Sequence, residues 1–515
     1  MRLLGLFSVI AVSILILLPS LYYVKPTYQD EGVLLHGASQ MIAGKKLYLD
    51  FFAFYPPVSY LLTEAGLSMF GQSLLAAHVL AIIVLISIVS VIYMICYHIG
   101  ICQPDVDTEG ISEKMLLSAI LPLSWLILIN PCWVGVSHHW FSVLFGLISV
   151  WLALLSKKNS NSDLGLTLLA GVMAGVATMS TVSFLYVAAA VSVLYWRGSC
   201  VKYIIVFCCG FVVVPVLCLF YVFLNHSFSA AYSDILGFTL TRYSSVQRVP
   251  FAWGLPWGNP VKDLFPIAGC LAFITYLQYR RSLFAEAYFA LFVFLGLAGL
   301  VMTYPRPEAD HIGFAAPLIL PLIAYCYSRL VRSEAKRILR YGSLSILLTY
   351  IPIIVLHARA VVTPIPRISS AAGPIAFFAS GGNDMLRFIN KTSKKDGFFF
   401  YPYLPLMPFL TKRDQIAPVD IFVPGYTYPS QYRDSCFAAV QRANWVITGE
   451  QFQNPSVWKL SFPAMQDANP PEVQLLSHAI RDNFIHVKHY GIFDVWHRRE
   501  RTKNYTSCKR IASIP

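Results

Sequence analysis

Long apolar stretches, separated by short polar segments, dominate the pattern of hydrophobic and polar positions along this chain. Many of them approach or exceed the roughly 20 residues that span a bilayer as a helix. The alternation of apolar and polar positions that marks a membrane β-barrel is absent. We therefore predict an α-helical polytopic membrane protein with about eleven transmembrane helices, at residues 3–24, 73–99, 115–131, 140–156, 164–180, 182–196, 202–224, 263–279, 284–303, 312–328 and 341–358.

The composition agrees with this class. The 515 residues are 57% hydrophobic and only 13% charged, with a mean hydropathy of +0.60, which excludes a soluble globular protein of this length. The net charge is +13. The Lys and Arg residues are spread over the loops and form no single basic face, so membrane topology explains them better than nucleic-acid binding.

Lys and Arg occur in alternate loops, which predicts the orientation of the chain. The basic loops, predicted to be cytoplasmic, carry Arg2, Lys114, Lys157 and Lys158, Arg197 with Lys202, Arg280 and Arg281, and a final group from Arg329 to Arg340. The loops predicted to lie outside are 25–72, 131–139, 225–262 and 304–311. The N-terminus is then cytoplasmic and begins an uncleaved first span. If residues 164–196 formed one long kinked helix, without a break at Thr181, every later loop would change sides.

Two regions differ from a simple string of spans. Within the transmembrane part, residues 1–358, the first outer loop 25–72 contains two amphipathic segments that suit helices lying in the membrane interface. Residues 359–515 alternate short strand-like runs with helical patterns, which predicts a soluble α/β domain outside the membrane. Cys436 and Cys508 lie in this domain, where a disulfide and two free thiols are both open.

Carboxylates predicted to lie at the membrane surface of so hydrophobic a chain indicate a catalytic or binding role. Asp30 and Glu31 begin the first amphipathic segment, and Asp50 follows later in the same loop. A carboxylate in a partly desolvated cleft can act as a general base beside a lipid-borne substrate. The alternative is that the acids cap a helix. Tyr55, followed by two prolines, begins a rigid turn before the second segment.

The first loop resembles a known family. The sequence runs Asp30-Glu31-Gly32, then Gly44-x-x-Leu47-Tyr48-x-Asp50, then Pro56-Pro57-x-x-Tyr60. This pattern is similar to the GT-C superfamily of integral-membrane glycosyltransferases, and within it to the branch of protein O-mannosyltransferases and aminoarabinose transferases. Weaker similarity continues at the stretches 70–73, 169–175 and 306–311.

The resemblance implies a GT-C-like fold and a transferase activity. Members of the family move a sugar from a polyprenyl-phosphate donor to a hydroxyl of a lipid, glycan or protein on the outer face, with inversion. By this resemblance Asp30 is the catalytic base, with Glu31 or Asp50 as supporting acids. The chain departs from relatives at Phe54-Tyr55-Pro56, where they often carry a charged approach to the prolines, and at His78, where an Arg is common.

Positive groups on the outer side are candidates for the donor phosphate. Arg306 lies between two prolines, and its planar guanidinium suits phosphate oxygens; the alternative is an Arg that anchors the chain at the interface. Arg242 belongs to an aromatic-rich loop that suits sugar and phosphate, and equally suits an interfacial belt. His311 is a third candidate, against a structural histidine.

Further candidates for the substrate cleft are Tyr55, His138 and His139. Adjacent histidines on a helix point apart, so they do not favour a shared metal ion. The sequence indicates no cofactor and leaves a divalent metal open. The expected location is a bacterial inner membrane, with the C-terminal domain in the periplasm. The competing functions are a polytopic transporter or flippase of a lipid-linked sugar, which would place charges inside the spans, and a non-catalytic scaffold.

Overall fold

The computed structural model describes residues 2–24, 30–101, 118–127, 134–157, 163–197, 201–251, 263–283, 286–330, 367–377, 379–500 and 503–514. The apolar stretches of the sequence form helices because a helix satisfies its own backbone hydrogen bonds in lipid. Each predicted span from 3–24 to 312–328 contains a helix over most of the part that is described, although the first ends in a short strand, Tyr23–Val24. The predicted span 341–358 lies outside the described residues.

The helices of the membrane region are α1 Arg2–Leu17, α2 Glu31–Ile42, α3 Pro57–Phe70, α4 Leu74–Ile101, α5 Ser118–Ile127, α6 His138–Ser156, α7 Leu164–Thr178, α8 Leu185–Arg197, α9 Val201–Leu224, α10 Phe228–Tyr232, α11 Ser244–Val246, α12 Leu264–Leu283, α13 Ala287–Met302 and α14 Ala309–Leu330. Two short π-helical turns, Ser233–Gly237 and Thr239–Tyr243, join α10 to α11. By length and composition, 5 helices of the described chain suit a membrane crossing. Several shorter apolar helices pack beside them, so the chain is an integral membrane protein.

The break predicted at Thr181 is present. Helix α7 ends at Thr178, and a 3-10 turn, Val182–Phe184, leads into α8. This turn lies against the first loop, because the Val58 amide donates to the Met179 carbonyl at 3.1 Å. The two segments are therefore separate helices, and the single kinked helix does not occur.

The outer loops predicted from the Lys/Arg pattern meet on one side of the helices. The Val136 amide donates to Glu31 at 3.1 Å, and the Val249 amide donates to the Pro305 carbonyl at 3.2 Å. The Ala53 amide donates to Asp234 at 3.3 Å. The first loop and the loops after α5, α9 and α13 thus share one face of the molecule.

Helix α2 is enclosed, although the sequence pattern suggested a helix lying in the interface. All residues from 31 to 38 are buried. Gly32 packs so closely on the C-terminal region that a Cβ there would lie 2.2 Å from the Leu406 amide nitrogen. An apolar segment of this kind is buried by protein when a second layer is available, and here the C-terminal region supplies that layer.

The C-terminal region combines two small sheets with helices. The strands are β1 Tyr23–Val24, β2 Ile368–Ser370, β3 Gly373–Phe377, β4 Phe398–Tyr401, β5 Trp445–Thr448, β6 Phe484–Tyr490 and β7 Phe493–Arg498. They form one sheet in the order β1-β3-β2 and one in the order β4-β5-β7-β6. The helices are Gly382–Lys391, Met407–Thr411, Pro429–Arg442, Glu450–Gln453, Val457–Ser461, Pro471–Asn483 and Thr506–Ile511.

The membrane helices and the C-terminal region are packed together. Strand β1, at the end of the first span, pairs in parallel with β3, with Tyr23 opposite Ala376. One continuous apolar core includes residues of both parts, for example Leu85 and Phe400, which are both fully buried. This packing fixes the C-terminal region over the outer loops.

A disulfide joins Cys436 to Cys508 and closes a loop with a sequence separation of 72. Loop closure of this length stabilises the folded state by about 4 kcal/mol in the chain-entropy model. We expect the double variant Cys436→Ser/Cys508→Ser to lose stability of that order in denaturant unfolding of the C-terminal region. Cys208→Ser, at an exposed free cysteine, is the control. Equal stability of both variants would contradict the prediction.

Candidate functional site

Asp30 precedes α2 at the point where the helix meets the C-terminal region. Its side chain makes no capping hydrogen bond to the helix, so the capping alternative does not describe it. The carboxylate instead accepts a hydrogen bond from the Tyr403 hydroxyl. Burial raises the pKa of Asp30, and this hydrogen bond and the charge of Arg306 partly offset the rise. A carboxylate in this state is a stronger proton acceptor than one in water.

Glu31 points the other way and is fully buried. Its Oε1 lies 3.3 Å from His78 Nε2, and its Oε2 accepts from the Val136 amide. His78 Nδ1 faces two backbone carbonyls, at 3.1 and 3.2 Å, so this nitrogen acts as a donor. The pair ties α2 to α4, which is a structural contact. Gly135 is required beside it, because a Cβ there would lie 2.4 Å from Glu31 Oε2.

A charged cluster from the loop before α14 faces Asp30. Arg306 donates from Nε to Glu308 and from Nη1 to Gln247 at 2.6 Å. Its guanidinium also lies 5.0 Å from the centre of the Phe462 ring. Burial acts to raise the pKa of Glu308, but hydrogen bonds with His311 and Arg306 outweigh it and hold that pKa below its usual range. Arg306 therefore remains charged although its side chain is largely buried.

A row of rings packs beside the charged cluster. Tyr55 stacks on His138 with ring centres 3.8 Å apart, and His138 lies 3.9 Å from His139. His139 meets His311 edge to face at 5.3 Å. Both ends of the row interact electrostatically with Asp30, namely Tyr55 at one end and His311 at the other. The row therefore connects the surroundings of the acid with the charged cluster.

Tyrosine hydroxyls surround the acid. Burial raises the pKa of Tyr55, Tyr403 and Tyr426 well above the ordinary range, and raises that of Tyr243 to about 12. All four stay neutral at physiological pH, so they can donate hydrogen bonds without adding negative charge beside the carboxylate.

The structure brings together most of the residues singled out from the sequence, namely Asp30, Tyr55, His138, His139, Arg306 and His311. Arg242 lies at the edge of this group, with its guanidinium 5.0 Å from the centre of the Tyr428 ring. Asp50 is exposed, and its carboxylate accepts the Lys46 amide at 2.6 Å, which closes its own turn. Among the described residues, no group of three or more His, Cys, Asp or Glu side chains is placed to hold a metal ion.

Several residues around Asp30 and Arg306 were not singled out from the sequence. They are Tyr403, Tyr426, Phe462, Gln247 and Glu308. Tyr403 had a signal, because it follows strand β4, which pairs in parallel with β5, and side chains that bind ligands gather at the carboxyl ends of parallel strands. Glu308 lies within the 306–311 stretch itself. Gln247 carries no comparable signal.

Comparison with known proteins identifies solved structures with a similar fold. Neither a family model nor a curated protein sequence matches the chain. Solved structures do. ArnT from Cupriavidus metallidurans bound to undecaprenyl phosphate matches with a TM-score of 0.56 and 12% identity, covering 96% of this chain and 98% of that one. Its apo form matches with a TM-score of 0.57 and 12% identity, over 95% and 97%.

A second kind of enzyme shares the fold. The oligosaccharyltransferase of Archaeoglobus fulgidus, tethered with an acceptor peptide, matches with a TM-score of 0.55 and 10% identity, over 96% of this chain and 74% of that one. The similarity therefore extends over nearly the whole chain, including the C-terminal region. This chain therefore has the same fold as these two kinds of transferase, which is the fold that the resemblance of the first loop predicts.

Proposed function

We propose that the chain is a membrane glycosyltransferase that moves a sugar from a polyprenyl-phosphate donor to a hydroxyl acceptor, with Asp30 as the general base. The observation that carries the proposal is the Asp30 carboxylate, which accepts a hydrogen bond from Tyr403 and interacts electrostatically with Arg306. The shared fold with ArnT, which has been solved bound to undecaprenyl phosphate, supports the choice of donor class.

The reaction is a single inverting displacement. Asp30 accepts the proton of the acceptor hydroxyl as its oxygen attacks the anomeric carbon of the donor sugar. The bond from that carbon to the phosphate oxygen breaks, and the phosphate leaves with the electron pair. Attack and departure on opposite faces invert the anomeric configuration. Asp30 ends protonated and returns its proton to water.

Arg306 stabilises the leaving phosphate. Its side chain is charged, interacts electrostatically with Asp30, and is oriented by Glu308 and Gln247. A fixed positive group aimed at the oxygen where charge develops lowers the barrier more than a mobile one does. His311, which pairs with Glu308, and Arg242 at the edge of the group are the other candidate contacts for the phosphate.

We also propose that the site lies on the outer face, with the N-terminus in the cytoplasm and residues 359–515 forming an extracytoplasmic α/β domain. The Lys/Arg pattern supports this orientation. The disulfide between Cys436 and Cys508 supports it independently, because such bonds persist in oxidising compartments.

The proposal is tested by transfer in proteoliposomes. Purified protein is supplied with a panel of polyprenyl-phosphate sugars and a membrane extract as the source of acceptors. We expect one donor to be consumed and its sugar to appear in the product with inverted anomeric configuration. Failure to consume any donor in the panel, by folded protein, would contradict the proposal.

The hydrogen bond from Tyr403 gives a prediction about pH. It stabilises the charged carboxylate, so Tyr403→Phe raises the pKa of Asp30 further. Asp30 must be ionised to accept a proton, so activity is lost as the pH falls through this pKa. We expect the acidic limb of the pH–rate profile to move to higher pH. Tyr490→Phe, on the edge strand β6, is the control, and an unmoved acidic limb in Tyr403→Phe would contradict the assignment.

A further inference from the structure

A cleft of about 280 Å³ opens in the C-terminal region, between the helix Pro471–Asn483 and the segment 451–458. Aromatic rings form part of its wall, contributed by Tyr401, Phe452 and Trp458. Such rings offer flat apolar faces, which suit the C–H face of a sugar ring. The proposed reaction does not use this cleft.

Side-chain amides form another part of the wall. Gln451, Asn469 and Gln474 line it. Gln474 donates from Nε2 to the Asn469 carbonyl at 2.7 Å, which leaves its carbonyl oxygen open, and the Gln451 side chain has no hydrogen bond to another described residue. Amides both donate and accept, as the hydroxyls of a saccharide do.

The charge of the lining residues limits which classes of ligand fit the cleft. Among the described residues that line it, none is acidic, and Arg481 contributes a positive group whose guanidinium lies 5.2 Å from the centre of the Phe452 ring. Neutral sugars and sugars that carry a carboxylate both fit this wall. A cationic ligand would meet no counter-charge here.

The cleft shares a wall with the Asp30 site. Pro402 lines the cleft, and the next residue, Tyr403, donates to Asp30. Trp458 lines the cleft and meets the Tyr403 ring edge to face at 6.1 Å. A chain of sugars could therefore place one residue in the cleft and another beside the base.

We propose that this cleft binds a sugar residue of the acceptor, so the acceptor is an oligosaccharide or a glycan-bearing lipid. The donor cannot take this position, because its phosphate belongs at Arg306 and its lipid in the membrane. The assignment of this sugar residue to the acceptor rests on the proposed transferase function. Saccharide binding by the cleft does not depend on that function.

The test measures binding of soluble saccharides to the full-length protein in lipid nanodiscs by saturation-transfer NMR. The probes are maltotriose, chitotriose, mannotriose and trigalacturonic acid. We expect at least one to bind, and Gln451→Leu to weaken it about tenfold through loss of hydrogen bonds in the cleft. Arg481→Gln should weaken trigalacturonic acid more than the neutral probes.

The matched control is Gln466→Leu, the same change at an exposed glutamine outside the cleft, which should bind as the wild type does. Asp30→Asn should also keep saccharide binding while losing transfer. Binding without transfer in the wild type would refute the transferase and leave the saccharide cleft standing. The absence of binding by every probe, or unchanged binding in Gln451→Leu, would overturn this inference.

Discussion

Asp30→Asn is expected to reduce sugar transfer by a factor of about 10² to 10⁴, the range that a positioned general base contributes. The amide has nearly the same shape and can still meet Tyr403, but it cannot take the proton of the acceptor hydroxyl. Because a buried ionisable group is replaced by a neutral one, folding and insertion should be unaffected. The measurement is the initial rate of transfer in proteoliposomes, normalised to folded protein.

The control is the same change at Asp50, the other aspartate of this loop, whose carboxylate is exposed and closes its own turn. Asp50→Asn should keep transfer within about a factor of two, as surface substitutions usually do. Full activity in Asp30→Asn, or equal losses in the two variants, would remove Asp30 from the role of base.

Loss of the Arg306 charge should have the second-largest effect. Arg306→Gln is expected to lower the donor-dependent rate by about 10² to 10³, because one fixed donor to a developing oxyanion contributes that much. Arg306→Lys retains the charge but loses the paired geometry with Glu308 and Gln247. It should therefore fall between the wild type and the glutamine variant.

Arg329 provides a matched control for this change. It pairs with Glu286 at 2.5 Å, and its guanidinium lies 5.4 Å from the centre of the Tyr325 ring. Arg329 thus has a carboxylate and an aromatic ring as neighbours, as Arg306 does, but lies at the other end of α14. Arg329→Gln should cost similar thermal stability and leave the rate per folded molecule unchanged. Equal losses of rate in both variants would show that Arg306 acts through stability alone.

Much of the fold was predictable because lipid imposes a simple rule on the sequence. The apolar runs mark the helices, and the break between two of them lies at Thr181 as predicted. The Lys/Arg pattern grouped the outer loops correctly, since their residues are in contact. The enclosure of α2 was not predictable, because it depends on Leu406 and its neighbours, far away in the sequence.

The candidate site was predictable where one loop or one resemblance carried it. Asp30 and Arg306 were each identified from their own segments. Tyr403 lies 373 positions from Asp30, and no local pattern pairs two residues at that distance. Glu31 shows the opposite limit. Its supporting role came from the family resemblance, whereas in the structure the helix turns it away from Asp30 and it packs against His78.

The most direct test of the central claim is the leaflet distribution of polyprenyl-phosphate sugar in cells that carry Asp30→Asn as their only copy. A membrane-impermeant reagent that oxidises sugars reports the outer-leaflet fraction. If Asp30 transfers the sugar after it has crossed the membrane, the unused donor accumulates on the outer leaflet while one sugar disappears from the surface glycans. Accumulation confined to the inner leaflet would instead identify a flippase and contradict the account.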